Sequence, residues 1–134
     1  MANKGLKGIT YEINGSTVGL QNALKEVNTK TRDLNSELKQ VQRLLKLDPN
    51  NVTLLKQKQD LLNKSISETK DKLNTLKDAQ SQVEHQFRNG DIGEEQYRSF
   101  QREIENTKQK LKQLEDQAKN TGSILGTHLQ NAGE

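Results

Sequence analysis

Apolar residues recur along most of this chain in alternating steps of three and four. The run Val52, Leu55, Gln59, Leu62, Ile66, Thr69, Leu73, Leu76, Gln80, Val83 and Phe87 keeps that rhythm without a slip. This is the pattern of a long helix with one narrow stripe turned toward a partner helix. Leu20, Leu24, Val27, Thr31, Leu34, Leu38, Val41 and Leu45 repeat it, as do Tyr97, Phe100, Ile104, Thr107, Leu111, Leu114 and Ala118. The reading is an all-α fold of long antiparallel coiled-coil helices, three-helix at one end and a two-helix hairpin at the other, preceded by one short N-terminal β-strand. Helices are expected over about residues 17–47, 49–89 and 94–120.

The breaks between stripes carry their own chemistry. Asp48-Pro49 ends the first helix and starts the second, Asp48 as cap and Pro49 where no amide hydrogen is needed. Asn89-Gly90 is a stop signal. Gly93 can then serve as N-cap, with Glu94 and Glu95 facing the positive helix start and Gln96 at the capping-box position. Ile92 and Tyr97 flank that cap as a hydrophobic staple.

Upstream, Ile9-Thr10-Tyr11-Glu12-Ile13 alternates apolar and polar residues, which predicts a strand, and Asn14-Gly15 is a turn signal. A lone strand needs a ladder partner, so it is expected to pair with another chain, pair with a copy of itself, or stay loose. The first helix is expected to begin after Ser16 or Thr17, both good N-caps. The domain reading is residues 1–16 as strand and turn, 17–120 as coiled coil, and 121–134 as a weakly ordered tail interrupted by Gly122 and Gly126. That tail is expected to continue in a longer parent protein.

Antiparallel pairing across the first corner sets Leu45 near Val52 and Leu24 near Leu73. Across the second corner it sets Phe87 near Tyr97 and Leu73 near Leu111. The first helix would then leave residues 79–104 projecting as a bare two-helix hairpin. Leu44, Leu47, Leu54 and Leu61 lie beside the main stripe, and are expected to meet either a third helix or a second copy of the chain. Gln59, Gln80, Thr31, Thr69 and Thr107 interrupt the stripe, as residues that fix register do.

Composition narrows the function classes. Aromatic residues are 3% of 134 and Trp is absent, while Leu, Ile, Val and Phe make up about 23%. A thick core with an internal reaction cavity is not expected from that supply. Lys and Arg outnumber Asp and Glu by 21 to 18, an alternation suited to a solvated coiled-coil surface rather than to specific nucleic-acid binding. Cys is absent, which removes disulfides and thiolate chemistry. His85 and His128 belong to no metal motif, and no phosphate-binding glycine loop follows a strand. The expectation is no enzyme, no cofactor and no metal. No secretory signal or membrane-length apolar run is read, so the chain is expected to be soluble and intracellular when made.

Several stretches carry a family likeness. Lys7-Gly8-Ile9-Thr10-Tyr11-Glu12-Ile13, the run from Thr17 to Asn28, and above all the run from Leu38 to Pro49 resemble the N-terminal region of tail tape measure proteins from phages and prophages of Gram-positive bacteria. Gln57-Lys58-Gln59-Asp60-Leu61-Leu62 and Gly90 to Tyr97 are similar too. The resemblance covers roughly residues 6–118. It implies a virion structural protein that occupies the tail tube lumen and sets tail length during assembly, made in the host cytoplasm and ending in the virion tail. Implied partners are tube, completion or assembly chaperone proteins and copies of itself, with no small-molecule substrate, specific nucleic acid or membrane in this segment. Family members are far longer, so a fragment or a truncated prophage product is expected. The alternative is a stand-alone coiled-coil adaptor or holdase-like protein. Candidate partner-binding residues under either reading are Ile9, Tyr11, Ile13, Leu54, Leu61, Phe87, Ile92 and Tyr97.

Overall fold

Asn14 and Gly15 both take positive φ, 50° and 79°, the geometry a two-residue hairpin turn requires. They join β1 (Thr10–Ile13) to β2 (Ser16–Gly19) in antiparallel register, Thr10 opposite Gly19 and Ile13 opposite Ser16. The strand therefore finds its ladder partner in the next four residues, not in another chain or a copy of itself. Ser16 and Thr17, expected to cap a helix, instead form the returning strand. The computed structural model describes residues 4–132 and starts with a short 3-10 turn, Lys4–Leu6, ahead of the hairpin.

Four helices follow: α1 (Leu20–Ala23), α2 (Lys25–Leu47), α3 (Val52–Arg88) and α4 (Glu94–Ala132). At the first corner the cap is Asn51 rather than Asp48. The Asn51 side-chain oxygen accepts from Leu54 N at 3.0 Å, and its amide donates to Asp48 Oδ2 at 3.1 Å. Pro49 lies in the connecting turn rather than at the first helical position, and α3 begins only at Val52. At the second corner Gly90 has φ 80°, Gly90 N donates to Phe87 O and Asp91 N to Gln86 O. Those two bonds form the Schellman closure that satisfies the last carbonyls of α3.

α4 does not stop near residue 120. It runs through Gly122 and Gly126 to Ala132, a span of 39 residues or about 59 Å. The expected loose tail is thus helical as far as residue 132, and its last two residues lie outside the described residues. Packing supplies what intrinsic propensity withholds: Thr121 is 1% exposed and Leu125 packs on the core.

α3 is the shared helix, packing on both α2 and α4. Its apolar residues feed two separate clusters. One joins Leu38, Val41 and Leu45 of α2 to Leu55, Leu61 and Leu62 of α3 and to Leu114 and Ala118 of α4. The other lies toward the Gly90 corner, where Leu73, Leu76, Ala79 and Val83 of α3 meet Phe100 and Ile104 of α4. Leu6, Ile9, Tyr11, Leu20 and Leu24 complete that second cluster from the N-terminal side. The α3–α4 hairpin therefore does not project bare over residues 79–104; the β-hairpin and the 3-10 turn cover it.

The additional cover explains a slip in the stripe. Ala79 is fully buried while Gln80, the expected stripe position, is exposed. A helix with neighbours on two sides buries a wider arc than a coiled-coil seam does. At the other end, the four flanking leucines divide: Leu61 is buried and Leu54 packs on its cluster, whereas Leu44 and Leu47 remain exposed.

Two outcomes are expected. Leu76→Ala, at a fully buried position, should lower unfolding free energy in urea by about 2–5 kcal/mol. Gly126→Ala should raise it by roughly 0.5 kcal/mol, because an added Cβ meets open space and Ala is the better helix former. A loss of stability from Gly126→Ala would mean that α4 is not helical there.

Candidate functional site

The free edge of β1 is closed by two side chains from α3. Thr10 N donates to Gln86 Oε1 at 3.0 Å, and Gln86 Nε2 donates back to Thr10 O at 2.8 Å. One turn away, Glu12 N donates to Gln82 Oε1 at 2.7 Å, and Gln82 Nε2 donates to Glu12 O at 3.1 Å. Each carboxamide presents the same donor and acceptor pair as a strand backbone. The spacing matches as well: four helical residues advance about 6 Å and two strand residues about 6.6 Å. α3 thus serves β1 as a third strand built from side chains, and an edge that could template another chain is occupied.

A third glutamine fastens the rest of the N-terminal segment. Gln96 Oε1 accepts from Gly93 N at 2.8 Å, the expected capping box, and its Nε2 donates to the Lys7 carbonyl. Gly5 is pressed against α4, so that a Cβ there would collide with the Ser99 side chain. The cap of α4 is in this way also the anchor of the loop before β1.

Most of the partner-binding candidates are spent inside the chain. Ile9 is 1% exposed, Tyr11 5% and Ile92 4%, all in the cluster beneath the hairpin. Phe87 and Tyr97 stack on each other with ring centroids 4.4 Å apart and planes 1° from parallel. Leu61 is buried and Leu54 half-buried against α2 and α4. Only Ile13, at the hairpin tip, stays substantially exposed, together with Leu44, Leu47, Ile124 and Leu129 elsewhere. The apolar surface offered to a partner therefore includes the α2–α3 corner and the end of α4, which the candidate residues did not cover.

Between the two apolar clusters lies a polar waist. Ser65, Thr69 and Thr107 are buried there, and Thr107 Oγ1 donates to the Glu103 carbonyl at 2.7 Å. Lys72 Nζ and Glu103 Oε1 meet at 2.6 Å across α3 and α4, with their side chains 17% and 22% exposed. The other ion pairs among the described residues lie within one turn of a helix and are far more open, which makes them weak. In one of them, the hydrogen bond that Lys30 donates to Glu26 holds its ammonium above the usual lysine range. A cleft of about 400 Å³ opens over the waist between α2 and α4. Further toward the α2–α3 corner, Gln59 Oε1 and Thr121 Oγ1 are buried without a partner among the described residues, a polar cost inside that cluster.

Two of these features were within reach of the sequence. Thr69 and Thr107 stand out as polar breaks in the stripe. The glutamine clamp gave one faint sign, Gln82 and Gln86 at four-residue spacing beside the stripe, but such pairs are common on solvated helix faces. Among the described residues, no group of three or more His, Asp or Glu side chains is placed to hold a metal ion, and no helix is long and apolar enough to cross a membrane. No protein-family model, curated protein or solved structure matches the chain.

The clamp and the waist each generate an expectation. Gln86→Glu keeps the acceptor for Thr10 N but sets a carboxylate against the Thr10 carbonyl. Hydrogen exchange at Thr10 and Glu12 should accelerate about tenfold or more, while amides of the α2–α3 corner keep their rates. Lys72→Met strands Glu103 and should cost about 2 kcal/mol, whereas Lys72→Met with Glu103→Met should cost less than the single change. A double variant worse than the single one would assign the pair a net stabilising role.

Proposed function

We propose that this chain is the N-terminal segment of a tail tape measure protein, a structural component of a phage or prophage tail. The observation that carries the reading is the resemblance of the run from Leu38 to Pro49, with the strand and corner motifs on either side of it. An elongated antiparallel rod about 60 Å long is compatible with it. So is the use of nearly all polar chemistry for capping, clamping and register. The segment is compact when free and straightens at the Asp48-Pro49 and Gly90–Gly93 corners when it enters a tube. Straightening uncovers both apolar clusters, so other copies of the chain must cover the same stripes.

A stand-alone adaptor that grips clients with Phe87, Ile92 and Tyr97 is less favoured, because those side chains already pack on their own chain. An adaptor would have to bind through other apolar groups, such as Leu47, which is 83% exposed.

Mass spectrometry of purified tails should detect peptides of this chain; tails that lack them remove the reading. Spin labels at exposed Lys70 and Lys112, on antiparallel α3 and α4, should be close in the free protein. In assembled tails they should separate toward the roughly 63 Å of a continuous helix. An unchanged short distance there would rule out straightening while leaving the virion assignment intact.

A further inference from the structure

The cleft over the polar waist carries features that a register-setting layer does not need. Ser65 and Thr69, one turn apart on α3, are 6% and 4% exposed. Both line the cleft, and neither hydroxyl has a hydrogen-bond partner among the described residues. Neither oxygen is among the fully buried unpartnered atoms, so both open onto the cleft and are free to bond a ligand seated there. The charges around them do not balance. Arg32, Lys72 and Lys110 line the cleft against the single carboxylate of Glu103, an excess of two positive charges, three minus one. Glu103 is taken by Lys72, whereas Arg32 and Lys110 make no ion pair among the described residues.

We propose that this cleft binds a small phosphorylated solute, with Arg32 and Lys110 at the rim holding the phosphate and the Ser65 and Thr69 hydroxyls reaching it or its neighbouring oxygens from the floor. Phosphate suits the donor set better than a carboxylate does. It offers three acceptor oxygens to a guanidinium fork, an ammonium and hydroxyls at once. The volume of about 400 Å³ exceeds what a bare anion fills and falls in the range of small-molecule sites. Three asparagine carboxamides in the walls supply paired donors and acceptors for the hydroxyls of a sugar-like body. The inference stands on the cleft alone and does not depend on the tail assignment.

Amide chemical shifts of the folded chain, titrated with ribose 5-phosphate, inorganic phosphate and ribose, test it. Ribose 5-phosphate should move the Ser65, Thr69 and Thr107 amides saturably, inorganic phosphate more weakly, and ribose not at all. Arg32→Gln with Lys110→Gln should weaken binding about tenfold or more. Lys39→Gln with Arg43→Gln removes equal charge from exposed positions of α2 outside the cleft, and should change it less than about twofold. Thr69→Val should weaken binding without lowering the thermal midpoint, which separates a lost contact from a lost fold. Three results would overturn the proposal: no saturable shift up to about 10 mM ligand, equal weakening by the two charge-removing pairs, or phosphate binding with no gain from the ribose body, an adventitious ion only.

Discussion

Everything in this molecule leans on α3, a helix with too little apolar surface to form a thick core and too much to stand with one neighbour. α4 follows it along nearly its whole length, but α2 is only 23 residues long and cannot cover it to the Gly90 corner. The uncovered end must meet a third layer or leave Leu76, Ala79 and Val83 half wet. The N-terminal segment supplies that layer. Its contribution is small in residues and large in effect, because Leu6, Ile9, Tyr11, Leu20 and Leu24 all bury their side chains in the same cluster.

A four-residue strand makes a poor cover by itself, since its outer backbone groups need partners wherever water is displaced. The glutamine clamp resolves this. Gln82 and Gln86 complete the ladder of β1 with side-chain amides, and Gln96 holds the preceding loop. The same bonds close an edge that would otherwise invite a second chain. Partner surface is consequently displaced toward the α2–α3 corner, where Leu44 and Leu47 remain exposed, and toward the end of α4.

The waist between the clusters follows another logic. Thr69, Thr107 and the Lys72–Glu103 pair sit where α2, α3 and α4 all approach, and apolar residues there would merge the two clusters into one seam. A merged seam would tolerate sliding by a heptad; a Lys72–Glu103 pair that joins α3 to α4 does not. The layer gives up stability for register, and it opens a cleft whose charge is not balanced by the protein.

The sequence by itself determined the long helical stripes, the stop at Gly90 and the capping box at Gly93 and Gln96. All of these are set by residues within a few positions of one another, and their physics is local. Ser16 to Gly19 misled because a four-residue run with a hydroxyl pair and a glycine reads as a helix start when no partner strand is in view. Gly122 and Gly126 misled because intrinsic propensity says nothing of the packing that holds Thr121 and Leu125. Only the tertiary structure decided that the N-terminal hairpin lies on the α3–α4 tip, that Ala79 replaces Gln80 in the buried face, and that two glutamines 70 and 76 residues away complete the ladder of β1. A carboxamide is equally at home in water and against a backbone edge, so nothing short of the folded geometry distinguishes the two.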